Sequence, residues 1–300
     1  IIDLELSISD GRLYYSVFHN ESLFSSVYEI PIDGRVQEYP VSSEQNRRLF
    51  HDIKSQIEGI SLDWLAKNLY MTEANRERIV VCNTQTLICS TLIENLPSPR
   101  GIVVVRSRYR LYWTQWHDRQ GGIYESLLDG SGQTRLFTDV QWPNDIVYDQ
   151  DMNRLYWCDG KTGSIEYYDF DIETRRIVHE DFIRQPYSMI VFEDQLYWTD
   201  WIAKKLFGCQ KIHCHEQSNI FQPTISKRRG LYGMTLYHPL RQPPLSSSSS
   251  MAKSDPCLHH RHNPCSHICL SRTNETFTCR CPDHMYLSND NRTCMSRSDN

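Results

Sequence analysis

The sequence predicts an all-β chain of repeated four-stranded blades, a propeller, followed by a small disulfide-rich module. Three observations predict it: a tyrosine-centred motif at near-constant spacing, short β-branched runs punctuated by turn residues, and a cysteine-dense C-terminus. The segments Leu13-Tyr-Tyr-Ser, Leu69-Tyr-Met-Thr-Glu, Leu111-Tyr-Trp-Thr-Gln-Trp, Leu155-Tyr-Trp-Cys-Asp and Leu196-Tyr-Trp-Thr-Asp-Trp are variants of one pattern. Their tyrosines, Tyr14, Tyr70, Tyr112, Tyr156 and Tyr197, stand 56, 42, 44 and 41 residues apart. Upstream lie runs such as Gly101-Ile-Val-Val-Val, Ile146-Val-Tyr and Met189-Ile-Val-Phe; downstream lie Gly122-Ile-Tyr-Glu-Ser and Gly163-Ser-Ile-Glu-Tyr. Turn residues such as Leu128-Asp-Gly-Ser-Gly separate them. About four short strands per repeat, at a period near forty, is the signature of a propeller blade.

On a strand, alternation sends the motif Tyr and Thr to one face and the Trp and Asp to the other. Stacked blades cover both faces, which accounts for large aromatics on successive positions. Tyr112, Trp113, Tyr156, Trp157, Tyr197 and Trp198 are therefore read as core. The long gap between Tyr14 and Tyr70 implies an insertion within Pro40 to Ser55, as a surface loop. After Tyr237-His-Pro the composition breaks: Gln242-Pro-Pro-Leu and five serines form a linker. The division is 1–241 for the propeller, 242–256 for the linker, 257–294 for the small module and 295–300 for a tail.

Six of the eleven cysteines lie within the last 44 residues, with spacing C-x7-C-x3-C-x9-C-x-C-x12-C. Such density reads as a disulfide framework in an oxidising compartment. Zinc would want Cys-x-x-Cys or finger-spaced Cys/His pairs, and neither occurs. Six cysteines allow fifteen connectivities, and spacing does not choose among them. Sequons at Asn20, Asn274 and Asn291 suit an extracellular setting. A net charge of −5 with scattered Lys and Arg argues against a nucleic-acid partner. The longest strongly apolar run, Gly101 to Val105, is far too short to span or insert into a bilayer. No nucleophile elbow, P-loop, zinc-protease motif or dinucleotide fingerprint appears, so neither an enzyme nor a cofactor or metal is expected.

The repeats resemble those of the low-density-lipoprotein receptor family. Trp142-Pro-Asn-Asp-Ile followed by Asn153-Arg-Leu-Tyr-Trp-Cys-Asp carries the resemblance, as does Pro186-Tyr-Ser-Met-Ile-Val-Phe-Glu-Asp-Gln-Leu-Tyr-Trp-Thr-Asp. Tyr237-His-Pro-Leu-Arg-Gln-Pro and Pro264-Cys-Ser-His-Ile-Cys-Leu look most like the very large endocytic receptors of that family. The resemblance implies a six-bladed YWTD propeller followed by an EGF-like module with pairs Cys257–Cys269, Cys265–Cys279 and Cys281–Cys294. Only five motif strands occur, so the ring looks entered one blade late. Its first blade would be incomplete and would be closed by a strand at Tyr232 to Tyr237. The serine linker is longer than the family's usual join and argues against rigid docking of the EGF module. Ser254-Asp-Pro before Cys257 lacks the acidic stretch of calcium-binding EGF modules, so no metal is expected there. Cys82 with Cys89, and Cys209 with Cys214, could bridge hairpins, with geometry to decide. Cys158, replacing the motif Thr, reads as a buried free thiol.

The resemblance also implies a partner-binding face built from residues after the motif strand and from inter-blade loops. The matching positions are Glu73, Trp116, Trp142, Asn144, Tyr187 and Trp201. Trp142 and Tyr187 fit equally well as seals of blade junctions. Trp116 and Trp201 are favoured for binding, since packing requires no second Trp past the strand end. Family members release ligands in acidic endosomes, which makes His117 a candidate pH sensor; the cluster His259, His260 and His262 reads as solvated. Expected partners are protein ligands or the parent receptor's own ligand-binding modules, at the cell surface and in endosomes. The alternative is an adhesion or signalling co-receptor, as in Wnt co-receptor and nidogen relatives.

Overall fold

A computed structural model describes residues 1–19, 22–32, 47–179, 183–212, 214, 218–221, 232–242, 255–258 and 263–296. Each motif strand is the second strand of an antiparallel four-stranded sheet. The first blade comprises β1 (Leu4–Ser7), β2 (Arg12–His19), β3 (Phe24–Pro31) and β4 (Arg47–Ile53). The second comprises β5 (Ile57–Asp63), β6 (Asn68–Glu73), β7 (Arg78–Asn83) and β8 (Cys89–Ile93). The third holds β9 (Pro99–Val105), β10 (Arg110–Gln115), β11 (Gly122–Leu127) and β12 (Thr134–Phe137). The fourth holds β13 (Pro143–Asp149), β14 (Arg154–Asp159), β15 (Ser164–Asp169) and β16 (Thr174–His179). The fifth holds β17 (Pro186–Phe192), β18 (Gln195–Asp200), β19 (Lys205–Gln210) and β20 (Ser218–Phe221). The inner strands follow one another side by side: β1 on β5, β5 on β9, β9 on β13 and β13 on β17.

The motif sets how blades stack. Its Tyr faces the next blade, and its Leu and Trp face the previous one. Thus Tyr70 packs with Leu111 and Trp113, Tyr112 with Leu155 and Trp157, and Tyr156 and Cys158 with Leu196 and Trp198. In the second to fifth blades, every one of these Leu and Trp residues has no exposed surface. The hydroxyl of Thr72 accepts from Gly59 N–H at 2.8 Å and donates to Arg100 O of the next blade at 2.6 Å. Thr199 repeats this, accepting from Ser188 N–H and donating to Tyr232 O, both at 3.1 Å. The segment at Tyr232 therefore stands where a following blade's inner strand would stand. Gly233 N–H donates to Ile2 O at 2.9 Å, and Gln242 clasps Leu6 O and Ile8 N–H.

Two expectations change. Residues 232–238 join blade five to blade one but form no strand ladder: one backbone bond reaches Ile2, and the bonds to blade five run through the Thr199 and Ser188 side chains. The blade containing Tyr14 has all four strands. Between blades five and one, Tyr197, Leu13 and Tyr15 are only half-buried, unlike their counterparts. The supposed insertion within Pro40 to Ser55 contains β4, so the loop is shorter; 33–46 lie outside the described residues.

The small module has two hairpins, β21 (Ile268–Ser271) with β22 (Phe277–Arg280) and β23 (Met285–Leu287) with β24 (Cys294–Ser296). Its bridges are Cys257–Cys269, Cys265–Cys279 and Cys281–Cys294. In the propeller, Cys82–Cys89 and Cys209–Cys214 are bridged, with Cα atoms 4.0 and 5.2 Å apart, and Cys158 is a buried free thiol. The module is docked, contrary to what the linker suggested. Ile268 and Leu270 enter the core shared by blades two and three. Arg106 lies buried between Asp63 and Asp255, 2.7 Å from Asp63 Oδ2, and also donates to Ser271 Oγ at 2.9 Å. Asn68 donates to Cys269 O at 2.9 Å, and Thr278 to Asp129 at 2.8 Å. Asp255 and Pro256, placed in the linker from sequence, are part of this seat, and Met295 and Ser296, placed in the tail, are strand residues. Residues 243–254 and 297–300 lie outside the described residues.

Candidate partner-binding face

The face is built by a defect repeated in four blades. Where each inner strand enters, its pairing with the motif strand slips by one residue, between Ile57 and Gly59, Pro143 and Asp145, and Pro186 and Ser188, and likewise opposite Thr114 in blade three. A bulge re-aims the extra residue. The residues so displaced are Glu58, Arg100, Asn144 and Tyr187. Glu58 and Arg100 pair at 3.0 Å, close to Tyr187. Burial raises the Glu58 carboxyl above its ordinary range, with Arg100 opposing the shift. Burial, then the charge of Glu58, pushes the Tyr187 phenol up. Asn144 donates to Pro186 O at 2.6 Å, which ties blade four to blade five.

Outward from this mouth runs an aromatic strip. The Arg100 guanidinium lies 3.8 Å from the Trp116 ring centre, Trp116 stacks on Trp142 at 5.6 Å, and Lys161 Nζ sits 4.5 Å above Trp142. The loop positions after the motif strand are equivalent: the N–H groups of Ala74, Trp116, Gly160 and Trp201 donate to Gln56, Ser98, Trp142 and Gln185 carbonyls. Motif carboxylates brace these loops. Asp159 accepts from Gln141, Trp142, Lys161 and Thr162 N–H, and Asp200 from Arg184, Gln185 and Ala203 N–H.

Of the candidate residues, Trp116, Trp142, Asn144, Tyr187 and Trp201 share this face. Their exposures differ from expectation. Trp142 is 40 % exposed and Trp201 39 %, whereas Trp116 is half-buried between Arg100 and Trp142. Asn144 is buried at the junction, and Tyr187 stacks edge-on to Tyr232. Glu73 is buried and its carboxylate is held by Arg78 at 2.9 Å, so it is not presented to a partner. His117 is exposed, but its Nδ1 accepts the N–H groups of Arg119 and Gln120, which makes it a turn cap. Glu58 and Arg100 were missed, because a bulge rather than a periodic pattern sets their direction. Asn274 and Asn291 are exposed on the small module; Asn20, His259, His260 and His262 lie outside the described residues. Among the described residues no cluster of metal ligands occurs, and no helix is long and apolar enough to cross a membrane.

No family model matches the chain. It is 33 % identical over 242 residues to the vitellogenin receptor Yl of Drosophila melanogaster and 30 % over 244 residues to the vitellogenin receptor of Solenopsis invicta. Each match takes in 79 % of this chain but only 11 % and 12 % of those proteins, so the chain corresponds to a small part of their length. The sortilin-related receptor of Mus musculus is 33 % identical over 169 residues, 56 % of this chain and 7 % of that protein. In fold, the chain is similar to a solved nidogen/laminin complex, with a TM-score of 0.67 and 24 % identity over 77 % of this chain and 82 % of that one. It is also similar to the virginiamycin B lyase of Staphylococcus aureus, with a TM-score of 0.54 and 15 % identity over 74 % and 70 %. Both structural likenesses speak to fold alone. With repeated variants of the Tyr-Trp-Thr-Asp strand in stacked blades and receptors among its sequence relatives, the chain belongs to the low-density-lipoprotein receptor family, as a YWTD propeller carrying a disulfide-rich module.

Proposed function

We propose that this chain is a protein-binding unit of an endocytic cell-surface receptor and that the strip from Trp116 through Trp142 to Trp201 takes the partner. The observation that carries it is the pair of exposed tryptophans, on a protein whose other motif-strand tryptophans are fully buried. A large exposed aromatic fixed by a rigid scaffold is the side chain an interface uses as an anchor. The vitellogenin receptors among its relatives make vitellogenin the first partner to try. Five disulfides support an extracellular setting. The reading is of a binding protein, not an enzyme. A second reading, an adhesion or signalling co-receptor, is favoured by the same exposed tryptophans, which suit a partner held directly. The ring is completed in this proposal as six blades, with 232–238 in the place of a sixth inner strand; the Thr199 contact and the half-open Tyr197 and Leu13 support it.

Acid release is part of the endocytic reading. Besides His117, the buried axial carboxyls Asp3 and Asp145, raised by burial, are candidates for it. The test is binding of vitellogenin to the wild-type chain and to Trp142→Ala and Trp201→Ala at neutral and acidic pH. Each substitution is expected to weaken binding by about tenfold or more, as for an anchor residue. Unchanged affinity in both variants, with a ligand that does bind the wild type, removes the strip from the interface.

A further inference from the structure

We propose that the partner of the strip is an acidic polypeptide segment that lays an apolar side chain on Trp142 and sets a carboxylate against Lys161. This rests on the reading of the face just given. The strip draws on three blades: Trp116 stacks on Trp142, Lys161 covers Trp142, and Gly160 adjoins Gln185, whose carbonyl accepts the Trp201 backbone N–H. Gly160 occupies the position that Trp116 and Trp201 occupy in neighbouring blades. An added Cβ there would lie 2.6 Å from Asn144 Nδ2 and 3.5 Å from Gln185 Cγ, so the Asn144 and Gln185 side chains, and no third Trp, stand at this position.

Charge selects the occupant. Arg119, Lys161 and Arg184 are exposed on the loops of this edge, and none has a carboxylate partner among the described residues. The acids on the same described loops are Asp118 and Asp139, and Asp139 is already paired with Arg175. Asp159 and Asp200 are buried and consumed by backbone N–H groups. The described loops around Trp142 thus carry more exposed base than acid, on a chain of net charge −5; Glu180 and Asp181, near Arg184 in sequence, lie outside the described residues. The Lys161 ammonium touches the indole on one side and is open to solvent on the other. A carboxylate placed there gains a charge-assisted hydrogen bond, whereas a second ammonium meets like charge.

Three short peptides test this, each with a central leucine flanked by Asp and Glu, by Gln, or by Lys. Their affinities for the wild-type chain, Lys161→Glu and Trp142→Ala are measured at low and physiological salt. The acidic peptide is expected to bind about five- to tenfold tighter than the Gln peptide, with the margin shrinking in salt. Lys161→Glu should move the preference to the Lys peptide, and Trp142→Ala should weaken all three. The proposal is overturned if the acidic peptide does not bind, if the Gln or Lys peptide binds as tightly, or if Lys161→Glu leaves the order unchanged. Loss of charge preference with Trp142 dependence intact would spare the face; binding insensitive to Trp142 would remove the face as well.

Discussion

At the residue scale, Asp145 shows how the axis responds to protons. Its carboxylate accepts N–H bonds from Ile146 and from Met189 of the next blade, both at 2.8 Å. Burial nevertheless dominates and pushes its pKa up to about 6. Asp3 is raised well above the usual carboxylate range, first by burial and then by the charge of Asp145. Glu5 is raised by burial, against the pull of Arg241. A carboxyl raised in the folded state takes up a proton that the unfolded chain does not. Its contribution is fully present below the unfolded value, about 3.9, and is lost as pH rises through about 6. The propeller should therefore gain stability as pH falls from about 7 to about 5. Asp10, Asp129 and Asp139 are lowered by hydrogen bonds and basic neighbours and act in the opposite sense, losing their contribution only under stronger acid. Asp145→Asn should remove about 1 kcal/mol of that acid gain. Melting temperature across this pH range checks it; a slope identical to wild type would show that Asp145 does not titrate there.

At the element scale, the turn between β9 and β10 holds the small module in place. Arg106 is 3 % exposed and lies between two carboxylates, from Asp63 in blade two and Asp255 before Cys257. Arg106→Leu leaves both carboxylates buried without their cation, which should cost about 3–5 kcal/mol. Denaturant unfolding measures the loss. Amide exchange at Ile268 and Leu270 should rise with it, and adding Asp255→Asn should recover part of the stability. A loss of stability with unchanged exchange there would place the damage within the propeller alone. The blades were legible in the sequence because the motif repeats and its alternation matches the pleat. The first blade was legible only in part: Tyr14-Tyr-Ser keeps the inner half of the pattern, while β4 carries no motif. Arg106 was not legible, since its partners lie 43 and 149 residues away and ion pairing has no period. The site divided in the same way. Trp116 and Trp201 were visible as tryptophans beyond what the strand needs, and Trp142 only as an equal choice between the binding face and a blade seal. Glu58 and Arg100 were hidden, because register slips direct them toward the axis.

At the scale of the whole molecule, ring closure depends on one level of the inner segments. There each inner segment carries either a side chain that reaches the next segment or no side chain at all. Asp3 accepts from Ile60 N–H at 2.8 Å, Asp145 from Met189 N–H at 2.8 Å, and Ser188 from Met234 N–H at 3.3 Å. A Cβ on Gly59 would lie 2.6 Å from Arg100 O, and one on Gly101 2.7 Å from the Asp145 Cα. Gly233 obeys the same rule at the closing joint, where a Cβ would lie 2.6 Å from both the Asp3 Cα and Ile2 O. The obstructing atoms are backbone, so neither a rotamer change nor a flexible tip can relieve the contact. Gly233→Val should therefore push the closing segment off β1, at a cost of about 1–3 kcal/mol. Since Gly233 N–H bonds to Ile2 O and Gln242 bonds to Leu6 and Ile8, the whole N-terminal edge should loosen together. Amide exchange at Gly233 and Ile8 should accelerate, while amides of β10 and β14 in the middle of the ring stay protected. Leu240→Ala, at a side chain 64 % exposed, serves as the control and should change neither. If Gly233→Val leaves Ile8 as protected as in the wild type, the closing segment does not hold the first blade.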